Sequence, residues 1–479
     1  MHPTESLMAV KDIPLALYIH IPWCVKKCPY CDFNSHELPT DMPLSRYDEY
    51  VDALLLDATM QQLFTQGREI GSIFIGGGTP SLLPIAQYQR LFSGLRRIFR
   101  LAADIEVTME ANPGTLEHAP FAQYLAVGIN RLSIGVQSFA ADKLTTLGRI
   151  HNPVQAISAI YAARAAGFAR INVDLMHGLP QQTMSEALDD IQMAHDAGAT
   201  HISWYQLTIE PNTVFYRSQP ILPDEDSLAN IEQAGQALLQ QLGYHNYEVS
   251  AWVSAADKPC RHNINYWQFG DYLAIGAGAH GKVTIGHQLS KANQDMLGLL
   301  GNNEALENNE ALEKNEVSKS GEALENECLT EAGIYRFSKS RLPKDYMSKD
   351  GVSKDDVSKD NMPKDFMPKN NMPKDNVLKN EVFTDEIFTD NVPENTPKMV
   401  GWQKVASDEL VSEFMLNALR LHGGVDWSLF AARTGLSYGD IAVQVDKLVA
   451  QGLLIDSTER LQPTVLGRRY LNQILRAFL

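Results

Sequence analysis

Between Leu15 and about Leu242 the chain alternates short apolar runs with longer helix-forming stretches, strand then helix, six times over. The strand-like runs are Leu15–Ile21, Ser72–Ile75, Ile105–Met109, Arg131–Val136, Ile171–Leu175 and His201–Leu207. Helical stretches such as Tyr47–Gln66, Ala86–Phe99, Val154–Ala166 and Thr183–Asp196 lie between them. Each strand–helix–strand crossover returns the chain in the same direction, so the pattern predicts an α/β fold on a parallel sheet. A curved sheet or partial barrel is the natural closure. In such folds the C-terminal strand ends build the site. Chemistry-bearing residues recur at those ends: a cysteine loop, Gly76-Gly77-Gly78-Thr79-Pro80, Glu110, Gln137, Asp174 and Gln206.

The cysteine loop is the sharpest of these. Tyr18 to Ser35 reads YIHIPWCVKKCPYCDFNS and places Cys24, Cys28 and Cys31 at C-x3-C-x2-C spacing directly after the first strand. Thiolates this close can converge on one soft metal centre. Three ligands where clusters usually take four leave one iron open to a substrate. A structural zinc site completed by His20 or His36, or unrelated buried thiols, are the alternatives.

The C-x3-C-x2-C spacing and the longer run Y-I-H-I-P-W-C…C-P-Y-C-D-F-N-S resemble the radical S-adenosylmethionine (SAM) superfamily. Within it they resemble the oxygen-independent coproporphyrinogen III oxidase-like group, and in that group the HemW family of haem chaperones. The resemblance implies a partial TIM-like (β/α)6 barrel. It also implies a 4Fe-4S cluster on Cys24, Cys28 and Cys31, whose open iron takes the amino and carboxylate groups of SAM. Reduction then cleaves SAM to a deoxyadenosyl radical. Residue by residue, it carries SAM contacts onto Tyr18, Tyr30, Gly77, Gly78, Thr79, Glu110, Gln137, Arg149 and Asp174. For Arg149 and Asp174 the bland alternative is a salt bridge inside the barrel.

Further on, His262-Asn263-Ile264-Asn265-Tyr266-Trp267 matches the H-N-x-x-Y-W segment that this family associates with haem. An imidazole can ligate haem iron, and Tyr266 and Trp267 offer flat faces to a porphyrin. Read without the resemblance, His262 is a hydrogen-bonded structural histidine in a loop. Cys260 and His280 are weaker candidate ligands.

Composition sets the outer limits. With 479 residues and 44% hydrophobic content the chain can fill a large core and at least one further domain. The N-terminus lacks the layout of a signal peptide, and no apolar run approaches a membrane span. Five cysteines, three of them clustered, imply no disulfide framework and fit a reducing cytoplasm. Of the net charge of −17, the stretch 301–395, with 13 Lys+Arg against 21 Asp+Glu, supplies about half, so the acidity says little about the folded part. The balance speaks mildly against nucleic acid as a partner.

The stretch 297–400 is largely low-complexity. A six-residue near-repeat runs from Asn303 to Asn326, and a five-residue near-repeat (LPKDY-MSKDG-VSKDD and onward) from Leu342 to Asn391. Polar repeats with recurring prolines cannot bury a core, which predicts a disordered insertion. The expected domains are 1–242, the barrel; 243–296, a haem-motif segment packing on it; 297–400, the insertion; and 401–479, a small winged-helix-like α+β module. The last contains a helix at about Tyr438–Gln451 with one basic residue, Lys447, against Asp440 and Asp446. That favours a packing or lid role over DNA binding.

The functional expectation is a haem chaperone that binds haem, a 4Fe-4S cluster and SAM and passes haem to an acceptor protein, with an electron donor for the cluster. The alternative is an oxygen-independent coproporphyrinogen III oxidase. Members with that activity show C-x3-C-x2-C-x-C, and here Phe33 stands where the fourth cysteine would be. Only 23 residues precede Cys24, against a longer leading segment in the oxidases. Both departures lead us to expect no oxidase activity.

Overall fold

The computed structural model describes residues 10–39, 41–115, 119–286, 332–347 and 399–479. Its centre is a sheet of 12 strands. Six of them are β1 (Leu15–Ile21), β2 (Ile70–Gly77), β3 (Leu101–Ala111), β4 (Arg131–Gln137), β5 (Arg170–His177) and β6 (His201–Gln206). They pair in sequence order, each parallel to the next. The expected alternation is therefore present, and its strands are almost wholly buried, as parallel strands covered by helices must be. Helices α1 (Leu44–Gln61), α2 (Ile85–Ile98), α3 (Phe121–Val127), α4 (Pro153–Ala165) and α5 (Met184–Ala197) make the crossovers, and α6 (Glu225–Gln241) follows β6. Asn152 and Thr183 start α4 and α5 with reciprocal capping boxes, and glycine in the left-handed region ends α3 and α5.

The sheet stays open, as expected of a partial barrel. Beyond β6 it continues antiparallel through β8 (Ala251–Ser254) to β7 (Tyr244–Asn246). On the other side β9 (Asp271–Ile275) pairs parallel with β1, and β10 (His280–Ile285), β11 (Gly333–Lys339) and β12 (Met399–Lys404) follow antiparallel. Two expectations shift here. The segment 243–296 contributes strands to both sides of the parallel run instead of packing on it as a separate piece. Inside the stretch assigned to the insertion, β11 is a sheet strand whose Tyr335, Phe337 and Lys339 are buried. The first repeat unit, Leu342–Tyr346, folds as a short 3-10 turn with Tyr346 buried against Tyr50. The reason is the inward alternation of β11, which the surrounding polar repeats conceal. The repeats 303–326 and most of 342–391 lie outside the described residues, as does the expected disorder.

The C-terminal residues form a second core around Phe414, Phe430, Val445, Leu448, Leu453 and Ile474. Helices Leu410–Ala418, Trp427–Thr434 and Ala442–Ala450 pack with an antiparallel pair, Val425–Asp426 against Arg460–Leu461. The chain ends in two short helices, Val465–Arg469 and Leu471–Arg476, broken at Tyr470. This core is continuous with Phe269 and Ile334 and with the partly buried Ile264 and Trp267, so the module seats on the segment carrying the H-N-x-x-Y-W residues.

Candidate functional site

Two neighbouring cavities open among the strand ends and share Gly77, Glu110 and Phe33. The first, of 370 Å³, holds all three clustered cysteines together with Tyr30, Gly77, Gly78, Thr79, Glu110, Gln137, Arg149 and Asp174 on its wall. Tyr18 lines the second cavity. Sequence reasoning had assigned these residues one by one, and the fold brings them to one end of the sheet.

The cysteine loop is held against β2 by backbone pairing. Gly78 donates to Ile21 O (2.8 Å) and Thr79 to Trp23 O (2.7 Å). This approach is what requires glycine: a Cβ on Gly78 would sit 2.4 Å from Trp23 O, and one on Gly77, which has φ +115°, 2.7 Å from the His20 ring. The N–H of Gly77 donates to Glu110 Oε2 at 3.2 Å. All three amides are thus engaged within the protein. On the far side of the loop, His20 joins Tyr18 Oη (2.8 Å) to Asn34 O (2.8 Å), and burial drives the His20 pKa down to about 4, so the ring is neutral.

Cys24, Cys28 and Cys31 are free thiols, each with a polar neighbour: Thr79 Oγ1 at 3.7 Å from Cys24, Arg149 Nη1 at 3.7 Å from Cys28, and Ser35 Oγ at 3.9 Å from Cys31. Burial raises Cys24 and Cys31. Three unbridged sulfurs on one cavity wall, with donors beside them to stabilise thiolates, fit a soft metal cluster. Among the described residues no histidine is hydrogen-bonded to them: His20 faces Tyr18 and Asn34, and His36 faces Arg341 O at 3.3 Å, so neither is placed as the fourth ligand of a zinc site.

Arg149 does not pair with Asp174. Its guanidinium bonds Asn112 Oδ1 (2.5 Å), Gly135 O and Cys28. Asp174, in the interior of β5, accepts from Ser133 Oγ (3.0 Å) and Asn172 Nδ2 (2.8 Å). Burial, then the nearby Asp174, push Glu110 up to about 8, and burial raises Asp174 as well. Two carboxyls of raised proton affinity on one cavity wall are poised to take a cation or a pair of hydroxyls. Gln137 holds φ +70°, a backbone conformation few non-glycine residues adopt, and its Oε1 accepts from Tyr205 Oη at 2.8 Å.

The second cavity, of 570 Å³, is lined by Tyr18, Phe74, His262, Tyr266, Trp267 and Tyr272 among others, with His280 and Arg341 also on its wall. The H-N-x-x-Y-W residues are helical here (α7, Arg261–Trp267), not a loop. The cause is not local. The N-terminus of α7 is capped from β3 by Glu106, which accepts Arg261 N (3.0 Å) and His262 N (3.3 Å). The same carboxylate faces His262 Nδ1 (3.3 Å), Cys260 Sγ (3.2 Å) and Arg170. Burial alone would raise the Glu106 carboxyl, but hydrogen bonding and charge from His262 and the Arg131 charge hold it well below its usual range. Burial opposes the His262 charge, yet Cys260 and Glu106 raise its pKa to about 9. Glu106, Cys260 and His262 are grouped tightly enough to suggest a metal, but backbone N–H groups and Arg170 already crowd the carboxylate. Glu106 went unnoticed in the sequence because nothing marks a strand residue as the cap of a distant helix.

His262 and Tyr266, four residues apart, share a face of α7. The ring of His262 stacks on Phe74 with centroids 4.3 Å apart, and Tyr266 lies 5.4 Å from Tyr272. Trp267 turns toward the C-terminal module, where Arg420 lies 4.7 Å over its ring. Asn265 serves the fold, donating to Asp271 O at 2.9 Å. Among the described residues no helix is long and apolar enough to cross a membrane.

Comparison with known proteins agrees with this layout. The radical SAM superfamily model matches residues 18–194, and the HemN C-terminal domain model matches residues 405–470. Heme chaperone HemW of Haemophilus influenzae is 39% identical over 470 residues, 97% of this chain and 98% of that protein. Heme chaperone HemW of Escherichia coli is 54% identical over 276 residues, 58% of this chain and 72% of its own length. Among solved structures, coproporphyrinogen III oxidase (HemN) from Escherichia coli, a radical SAM enzyme, superposes with a TM-score of 0.67 at 20% identity, covering 99% of this chain and 92% of that one. At that identity the likeness speaks to the fold.

Proposed function

This chain belongs to the HemW family within the radical SAM superfamily, and from that premise we propose that it is a haem chaperone, one that binds a 4Fe-4S cluster, SAM and haem and hands the haem to an acceptor protein. The observation that carries the reading is the pairing of two cavities across Gly77 and Glu110, one holding the cysteines and the other the H-N-x-x-Y-W helix.

In this reading Cys24, Cys28 and Cys31 hold the cluster, and Arg149 and Thr79 stabilise sulfur charge at Cys28 and Cys24. When bound, the cluster supplies an electron to SAM. Glu110 and Asp174 face the cationic and hydroxyl groups of SAM, and with Glu110 raised to about 8 by burial and by Asp174, a cation arriving there displaces its proton. The amides of Gly77, Gly78 and Thr79 are engaged, so the SAM amino group is met by oxygen acceptors. Of the family's other assigned contacts, Tyr30 and Gln137 complete that wall, and Tyr18 lies in the adjoining cavity.

Haem occupies the second cavity. Its flat apolar face suits Tyr266, Tyr272 and Phe74, with Trp267 behind. His262 is the candidate iron ligand: Glu106 engages Nδ1, the arrangement that orients a ligating imidazole, and ligation would require the imidazolium that Cys260 and Glu106 favour to give up a ring proton. The acceptor protein, an electron donor and a cytoplasmic setting belong to the same proposal; the C-terminal module is a packing element, not a nucleic-acid reader. The domain division follows the structure more closely if 332–347 and 399–404 are counted with the barrel sheet.

The test is anaerobic reconstitution with iron and sulfide, then haem titration by absorbance in wild type, His262→Ala and a Cys24/Cys28/Cys31 triple alanine variant. Stoichiometric haem binding lost in His262→Ala with the cluster intact is the expected result. Cluster assembly and SAM cleavage without haem affinity would overturn the reading and make coproporphyrinogen the next substrate to try.

A further inference from the structure

The aromatic cavity has a charged end that the H-N-x-x-Y-W motif does not account for. Arg341 and His280 both line it. Arg341 follows β11, in the short segment between the two repeat tracts, and its backbone is fixed from several sides. Its carbonyl accepts Asn34 Nδ2 at 2.8 Å and His36 Nε2 at 3.3 Å, both from the cysteine loop. One residue earlier, Ser340 O accepts Gly278 N at 2.7 Å, and Lys339 pairs with Asp57 at 2.6 Å in full burial. Five residues on, Tyr346 is buried in the core.

The side chain is treated differently. Arg341 is exposed, and among the described residues its guanidinium has no hydrogen-bond or ion-pair partner. The other cation at this end, Arg336, is committed to Glu413. His280 has its proton affinity lowered by burial and then by the charges of Arg341 and Arg336, a sign that positive charge at this end is not fully neutralised. Asp32 is on the same wall but makes no ion pair with Arg341. A cavity with aromatic walls and, at its rim, one guanidinium carried on a held backbone and without a partner among the described residues fits a ligand with a flat apolar body and an anionic edge. Haem is such a molecule: its ring is apolar and its two propionates lie on one side.

We propose that Arg341 anchors a carboxylate of the bound porphyrin, setting which edge of the ring faces solvent. This rests on the reading of the aromatic cavity as the haem site. The planar guanidinium can take a carboxylate through two parallel N–H donors, a geometry lysine lacks. The proposal also gives the described part of 332–347 a role at the site, although the sequence places it among polar repeats.

The experiment titrates the full-length protein with haem and with haem dimethyl ester, in which both carboxylates are blocked, comparing wild type, Arg341→Gln and Arg341→Lys. Because the Arg341 contacts that hold the fold are made by its backbone, both variants should remain folded. We expect Arg341→Gln to weaken haem binding by about tenfold, the usual scale for one charged hydrogen-bonded contact. Arg341→Lys should recover part of that loss, and ester binding should be equal in all three proteins. Equal haem affinity in wild type and Arg341→Gln would overturn the proposal, as would an equal loss of haem and ester. Failure of the wild type to bind haem at all would instead overturn the assignment of the cavity.

Discussion

The Nδ1 atom of His262 lies 3.3 Å from Oε1 of Glu106, across 156 residues of sequence. That contact joins strand β3 to the first turn of α7, and Arg170 holds the other carboxylate oxygen. Removing the carboxylate leaves Arg170 and the buried Arg131 without their common counter-charge and the α7 N-terminus without its cap. Glu106→Ala should therefore cost about 3–5 kcal/mol in urea unfolding, the scale for breaking a buried ion pair from one side. The conservative Glu106→Gln keeps the shape and removes the charge. The His262 pKa is raised to about 9 in the folded protein, so the stability it contributes is fully present below its unfolded value and disappears as pH rises through 9. In Glu106→Gln that pH-dependent part should shrink, and the imidazole titration followed by NMR should move down. A His262 still titrating near 9 would show that Cys260 alone holds the proton.

Gly78→Ala tests the join between the cysteine loop and β2. The added methyl would meet Trp23 O at 2.4 Å, a backbone atom that cannot rotate away. The strand pair must separate, with strain on the order of 1–3 kcal/mol. Because Thr79 and Cys24 move with it, the expected outcome is a folded protein with reduced iron and sulfide content after reconstitution. Gly114→Ala is the control, since its Cβ would meet nothing closer than 3.5 Å. Equal iron content in the two variants would show that the loop tolerates the displacement.

What the sequence revealed depended on how local the signal was. The alternation of strands and helices was readable because buried parallel strands are continuous apolar runs and crossovers obey one direction. Cys24, Cys28 and Cys31 were readable from their spacing, and Gly77, Glu110 and Asp174 because polar or glycine residues recur along successive strands. The helix at His262 was read as a loop because its cap, Glu106, comes from another strand. Strand β11 was hidden because Ile334-Tyr335-Arg336-Phe337 is a short alternating run between polar repeats. Arg149 illustrates a third case: its type suggested a carboxylate partner, whereas the fold gives it Asn112, Gly135 O and a cysteine sulfur.

Glu110→Gln should separate site from scaffold. Burial and Asp174 raise the Glu110 pKa to about 8, above its unfolded value. A raised carboxyl favours the folded state when protonated, so this contribution is full at acid pH and lost as pH rises through 8. The glutamine variant carries no charge to bury. Its thermal unfolding should match wild type near pH 5 and exceed it at pH 9, by roughly 2–4 kcal/mol given a shift of several pKa units in a partly relaxing site. Identical curves at pH 9 would mean that Glu110 is already ionised and solvated. The same variant should weaken SAM binding at every pH, measured by calorimetry on the anaerobic holoprotein.

Trp267 distinguishes the two halves of the H-N-x-x-Y-W segment. His262 and Tyr266 face the cavity, whereas Trp267 also packs on the C-terminal core beneath Arg420, with its indole N–H unpartnered among the described groups. If its principal work is to seat the module, Trp267→Ala should loosen residues 405–479, destabilising the protein by about 2–3 kcal/mol, somewhat below the range for a wholly buried tryptophan. Limited proteolysis should then cut faster between Val405 and Leu410, where the chain passes from the sheet into the first helix of the module. Trp267→Phe should restore much of the packing and slow the cut. Haem absorbance gives the opposing readout. A tryptophan whose main role is to stack on porphyrin would alter the haem spectrum in both variants and leave the proteolysis rate unchanged, because stacking on a ligand adds nothing to the empty protein. Comparing the two rates in the absence of haem therefore decides whether the indole serves the module or the ligand.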